Sequence, residues 1–224
     1  MGLYNYEKLM LLSIDDNKGH VIFSLSTTLP YGLAGAILFD LHFANRIDFV
    51  KDKVKLIDKT PIGDEVLDTA LKLIADDEKH NEMQFWVEKL YQKIDNIKKR
   101  IINKLVDAKI LKYEKDKILW FIPVEKYPTN NPIPEINLRL EIRGIVLDAN
   151  KPTQDDIALI SLIYSCNLVE EIFTKEEIRQ AEEIIKDMVD SESVGQIIRD
   201  SIRNMMLAVT AASNAAVIAT QVTT

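Results

Sequence analysis

From Thr28 to Ile47 the chain reads TLPYGLAGAILFDLHFANRI, with few polar residues to interrupt it. Leu33, Ile37 and Leu41 lie four apart on one helical stripe, and Ala34, Ala36, Leu38 and Phe39 fill much of the remaining circumference. A helix that is apolar nearly all round is a buried one. Thr27 or Thr28 can cap its start, Pro30 suits its first turn and Asn45 can end it, which predicts about 15 residues spanning roughly 22 Å. That is shorter than a bilayer core, and Asp40 and His42 interrupt it, so it reads as interior rather than membrane-spanning. Met205 to Val222 carries no charged side chain and follows Arg199 and Arg203 as a tail anchor would. Its alanines, with Thr210, Ser213, Asn214, Thr220 and Gln221, make a weak insertion signal and suit close helix packing. A soluble core helix is expected, with an oligomer contact as another reading.

Between these segments helices alternate with short hairpins, without a repeat or a low-complexity linker. Arg46 to Lys59 places a charged turn between two β-prone runs. Thr60 to Asp77 starts a helix with Val66, Leu67, Ala70, Leu71 and Ile74 on its apolar stripe, and residues 83 to 92 add one carrying Phe85, Trp86 and Leu90. A helix from Ile94 to about Lys109 runs into a hairpin expected to turn at Lys115 and Asp116. Four more helices are predicted near 134–149, 153–172, 174–190 and 193–222. Thr153 with Asp156, and Thr174 with Glu177, have capping-box spacing.

The chain has 224 residues, ordinary globular composition and a net charge of −7, which argues against broad nucleic-acid binding while leaving room for a local basic face. One cysteine, Cys166, forbids an internal disulfide, and no Cys/His spacing suggests a metal. The first residues lack the basic lead of a secretory signal, so a cytoplasmic protein is expected. No cofactor is predicted. His20, His42 and His80 have no nucleophile paired with them, and no glycine loop cradles phosphate. Gly32 and Gly35 read instead as places where another helix comes close. Asp15, Asp16, Asp155 and Asp156 read as turn and cap residues. The helix near Lys98 followed by a hairpin has the outline of a winged helix, and Lys98, Lys99, Arg100 and Lys104 can touch phosphate. Asp95 and Asp107 flank them, however, and no base-reading set accompanies them, so nucleic acid is disfavoured.

In chain order, "LMLLSIDDNKGHVIF", "YGLAGAILFDLHFANRI", "TPIGDEVLDTALKLI", "NIKKRIINKLVDAKIL", "YPTNN" and "IALISLIYSCNLVEEIF" together resemble the Golgi phosphoprotein 3 family from near residue 7 onward. The resemblance implies a mainly α-helical single domain over residues 1–224 with a projecting β-hairpin and no catalysis. It implies a peripheral membrane adaptor that binds phosphatidylinositol 4-phosphate; eukaryotic members hold glycosyltransferases in the Golgi. The family's headgroup pocket uses a tryptophan, an arginine and two basic residues three apart, at positions that here read Ser24 or Leu25, Ala34, and Asp95 with Lys98. Only Lys98 keeps the charge, so a weaker anionic-lipid site built from Lys98, Lys99, Arg100 and Arg46 is expected. The altered pocket, the short lead-in and a composition rich in Ile, Lys, Asn and Asp suggest a prokaryotic relative. In FIPVEKYPTNNPIP, Pro123, Pro128, Pro132 and Pro134 restrain an excursion that Asn130 and Asn131 can turn. The family uses the equivalent hairpin for self-association, which implies a homo-oligomer contact through Lys126, Tyr127, Pro128, Thr129, Asn130 and Asn131.

Overall fold

The computed structural model describes residues 2–15, 18–77, 79–93, 96–118, 122–148, 150–190 and 196–222. The chain is mainly helical, with two small antiparallel hairpins. Helices α1 (Asn5–Leu12) and α2 (Leu29–Phe43) are followed by the strand pair β1 (Ile47–Val50) and β2 (Lys53–Leu56). Helices α3 (Glu65–Ala75), α4 (Met83–Lys93) and α5 (Ile97–Asp107) come next, then the second pair, β3 (Glu114–Ile118) and β4 (Ile122–Lys126). The remainder is α6 (Ile133–Leu147), α7 (Gln154–Ser165), the single turn α8 (Val169–Ile172), α9 (Ile178–Asp190) and α10 (Gln196–Val222).

Helix α2 is the axis of the core, because its apolar circumference meets a neighbour in every direction: α1, α4, α7 and α10 all pack on it. The two glycines admit these neighbours. A methyl group at Gly32 would lie 2.1 Å from Cys166 Sγ, and one at Gly35 would lie 3.0 Å from Leu162 and 3.2 Å from Met205 and Val209. Both therefore mark close helix approach, as their spacing predicts. The helix ends in a Schellman motif: Asn45 takes the left-handed conformation (φ 55°), and the Arg46 N–H donates to the Leu41 carbonyl at 2.9 Å. Helices α5 and α7 end the same way at Lys109 and Asn167. That turn at Asn167 splits the helix expected over 153–172 into α7 and α8. At the other end of α7, Thr153 and Asp156 form the predicted capping box.

Three expectations are revised. Lys115 and Asp116 are strand residues opposite Glu125 and Val124, so the second hairpin turns beyond Ile118. Helix α1 forms where no helix was expected, and its residues Tyr6, Leu9, Met10, Leu11 and Leu12 are fully buried. Helix α10 is a core helix on one face only. Ile202–Ala219 is long and apolar enough to cross a membrane, and a third of it is buried. Ile202, Met205, Val209 and Ala212 are inside, whereas Leu207 and Ile218 are exposed.

Candidate headgroup site at the start of helix α5

Helices α4 and α5 meet in a hollow of about 270 Å³ lined by Tyr91, Asn96, Ile97, Lys98 and Lys99. Ile97 is buried and pins the first turn of α5 to the core, so the adjacent lysines lie at the rim. Asn96 precedes the helix in the left-handed conformation (φ 50°), and its side chain makes no cap. Among the described residues, nothing accepts hydrogen bonds from the first-turn N–H groups of Ile97, Lys98 and Lys99. Such open N–H groups, at the positive end of a helix dipole, attract anions.

Lys98 is half-buried, and burial lowers the pKa of its ammonium. It forms no ion pair among the described residues. The other basic groups of α5 are all engaged. Lys99 reaches Glu125 on β4 at 3.0 Å, and Arg100 lies 3.6 Å from Glu65. Lys104 is 3.0 Å from Glu7 and also bonds Asp64 and the Tyr6 hydroxyl. Burial opposes the Lys104 charge, yet those carboxylates outweigh it and raise its pKa.

The four cations picked out in sequence do not all converge. Lys98 and Lys99 share the hollow, while Arg100 leans toward α3. Arg46 follows the far end of α2, where its guanidinium donates to the Thr60 and Ala44 carbonyls at 2.7 and 3.0 Å and pairs with Asp58 at 3.4 Å. Near the opposite end of α2, Tyr31 meets Tyr91 of the hollow, with ring centroids 5.1 Å apart. From Tyr31 to the last residue of α2, Phe43, is twelve residues, roughly 18 Å of helix, and Arg46 lies beyond the turn that follows. Ala34, where the family resemblance places an arginine, is fully buried. Ser24 is exposed and Leu25 buried, and Asp95 lies outside the described residues.

Sequence reasoning passed over Phe23. It is 90% exposed, on a 3-10 turn (Phe23–Leu25) four residues before α2 begins. The stretch Val21-Ile22-Phe23-Ser24-Leu25 is apolar enough to read as interior, and nothing local shows that Leu25 turns inward while Phe23 turns out.

Lys126–Asn131 forms the base of the β3–β4 hairpin. The Tyr127 N–H donates to the Gly19 carbonyl at 2.7 Å, the Lys112 N–H to Pro128 at 3.0 Å, and the Asn130 N–H to Ile110 at 2.8 Å. Thr129 pairs with Leu111, and the Asn131 N–H also donates to Ile110, at 3.0 Å. Tyr127 is buried. What stands out from the body is the arm above this base, with Tyr113, Glu114, Lys115 and Asp116 exposed.

No group of three or more metal-ligating side chains occurs among the described residues. Cys166 is enclosed, and burial pushes its thiol up to about 12.

A buried helix ringed by other helices, with two small antiparallel hairpins, makes this a compact, mainly helical single domain. A family profile for Golgi phosphoprotein 3 (GPP34) matches residues 6–205, and the chain belongs to that family. Vacuolar protein sorting-associated protein 74 of Schizosaccharomyces pombe is 27% identical over 162 residues, covering 63% of this chain and 46% of that protein. The match therefore takes in less than half of the length of this relative.

Proposed function

We propose that this protein is a non-catalytic peripheral membrane adaptor that grips an anionic lipid headgroup at the start of α5, on the cytosolic face of a membrane. The observation that carries the reading is Lys98: a half-buried ammonium without an acid partner among the described residues, beside uncapped N–H groups. A phosphomonoester supplies the missing charge and accepts several hydrogen bonds at once. The family resemblance points to phosphatidylinositol 4-phosphate, and having only Lys98 in the hollow without an ion pair among the described residues argues for weak binding. Phe23 offers an apolar contact for the acyl boundary, where burying a phenylalanine contributes on the order of 1.5–3 kcal/mol. The arm based on Lys126–Asn131 is the proposed homo-oligomer contact, and a client protein is the expected third party.

A duplex-DNA reader is disfavoured, because Lys99, Arg100 and Lys104 already face Glu125, Glu65, and Glu7 with Asp64. A soluble scaffold without lipid contact is the remaining alternative. Sedimentation with vesicles with and without phosphatidylinositol 4-phosphate, beside a DNA shift at matched salt, separates the three. Lys98→Glu is expected to lower vesicle binding at least severalfold, with Phe23→Ser additive to it and Arg46→Glu neutral. Vesicle binding that survives Lys98→Glu rejects this site.

A further inference from the structure

We propose that Glu125 on β4 is a built-in competitor of the headgroup: it occupies Lys99 in the free protein, and an arriving phosphomonoester must take Lys99 from it. The inference rests on the headgroup site proposed above and adds a means of regulation to it. Lys98 and Lys99 line one hollow. The Lys99 ammonium nevertheless donates to both carboxylate oxygens of Glu125, at 3.2 and 3.0 Å. Carboxylate and phosphate ask the same thing of a lysine, a charge-assisted hydrogen bond, and sharing one ammonium would set the two anions against each other. Glu125 therefore opposes the ligand.

The carboxylate is held independently of the lysine. The Tyr127 hydroxyl donates to its Oε2 at 2.8 Å and the Tyr113 hydroxyl to its Oε1 at 3.1 Å, one donor for each oxygen. Tyr127 is buried in the hairpin base, which fixes that donor, and Lys115 lies directly across the hairpin from Glu125. Donation from Tyr127, Lys99 and Tyr113 outweighs burial and keeps the pKa of Glu125 below its ordinary value, so the competitor is charged at neutral pH. When Lys99 leaves, Glu125 keeps two hydrogen bonds and stays where it is.

Lys99 is the partner free to move. Its side chain is 53% exposed on a flexible four-carbon stem, and an ammonium is a point charge that tolerates a change of direction. Lys104 is a poor substitute, since it already serves the buried Glu7 and Asp64. Lys99 is thus the cation in reserve, and moving it frees the β3–β4 arm from α5. Linkage is reciprocal: headgroup occupancy loosens the arm's tie to α5, and whatever strengthens that tie weakens headgroup binding.

A mutant cycle tests this with wild type, Glu125→Gln, Lys99→Met and the double variant, each sedimented at physiological salt with phosphatidylcholine vesicles carrying phosphatidylinositol 4-phosphate. Glu125→Gln is expected to tighten binding about two- to fivefold, the worth of an exposed ion pair. In the Lys99→Met background the same substitution should have little effect, because Glu125 then has no lysine to withhold. Both positions are exposed, so all the chains should melt at nearly the same temperature. Equal tightening in both backgrounds overturns the proposal, since Glu125 would then act only as a distant charge, and so does no tightening in either. Movement of Lys99 is read by carbodiimide coupling. An amide cross-link between Lys99 and Glu125, quantified by peptide mass spectrometry, should form in the free protein and decline on these vesicles, while the Lys8–Asp155 pair, 3.1 Å apart, keeps its yield as the internal control. A Lys99–Glu125 cross-link that vesicle binding leaves unchanged refutes the competition. If no chain sediments with the vesicles, site and competitor fall together; if binding needs Lys98 yet the cycle shows no coupling, the competitor alone falls.

Discussion

Gly32→Ala tests the packing that holds the proposed site in place. The added methyl would sit 2.1 Å from Cys166 Sγ and 3.2 Å from Leu9 Cδ2, against an ordinary contact of roughly 3.5–4 Å, so α2 and the end of α7 must part by more than 1 Å. An approach this close puts the overpacking near the upper end of about 1–3 kcal/mol, while the alanine regains nearly 1 kcal/mol of helix propensity, leaving a net loss of about 2 kcal/mol. Cys166→Ala by itself removes one buried atom and costs about 1 kcal/mol. With the sulfur gone, however, the severe clash is removed: the new methyl keeps the tight 3.2 Å approach to Leu9 Cδ2, the end of a flexible side chain, and an ordinary 3.8 Å contact with Cys166 Cβ. The double variant should therefore be more stable than Gly32→Ala alone, with a coupling energy of about 2 kcal/mol in guanidinium unfolding followed by far-UV circular dichroism. Tyr31, the neighbour of Gly32, touches Tyr91 in the hollow, so vesicle binding should fall in the single variant and recover in the double. Strictly additive losses, or a neutral Gly32→Ala, would refute the claim that this contact sets the α2–α7 spacing.

Lys104→Met removes the shared partner of Glu7 and Asp64, both buried, and should cost about 3–5 kcal/mol near neutral pH. Burial opposes ionisation of Asp64, but Lys104, the Leu67 N–H and the Tyr6 hydroxyl together lower its pKa below the ordinary value. Its stabilisation is thus present above the ordinary carboxylate range and lost as pH falls through the lowered value, so the gap between wild type and Lys104→Met should close on acidification; a constant gap rejects the pairing. Asp40 behaves in the opposite sense: burial raises its pKa to about 8, even though the Asn5 and Tyr6 N–H groups donate to it at 3.0 and 3.1 Å. The folded state then holds a proton that the unfolded chain has released, so this group's contribution declines between about pH 4 and pH 8. Asp40→Asn should flatten that slope in a pH series of denaturation midpoints, and an unchanged slope argues that Asp40 is ionised throughout. Shortening the arm between Tyr113 and Lys126 to a tight turn, with the base kept, should lower the mass seen by light scattering; the same mass would remove its role in self-association.

Several features were legible because their causes are local. The Thr153–Asp156 cap needs only four consecutive residues, and the end of α2 at Asn45 needs only a residue that accepts a left-handed backbone. The burial of α2 followed from its own circumference. The hairpin turn was misplaced because Lys115 and Asp116 look like turn residues in isolation, yet pairing with Glu125 and Val124 makes them strand. Part of the candidate site was legible in the same way: Lys98 and Lys99 are neighbours on one helix. Which cations stay unengaged was not, since Lys99 finds its acid 26 residues away and Lys104 finds Glu7 and Asp64 from two other helices.

The sequence alone determined that this chain is mainly helical with α2 in its interior, a few of the helix limits such as the Thr153 cap and the stop at Asn45, and which family it resembles, because hydrophobic periodicity and capping act over a few residues. Tertiary structure decided that Arg46 pairs with Asp58 beyond the far end of α2 while Lys98 lies in the hollow by Tyr91, that Lys98 keeps its charge unpaired among the described residues, and that one face of α10 is left open. Those outcomes depend on which distant side chains share a neighbourhood, and electrostatic pairing and burial are properties of that neighbourhood rather than of any one segment.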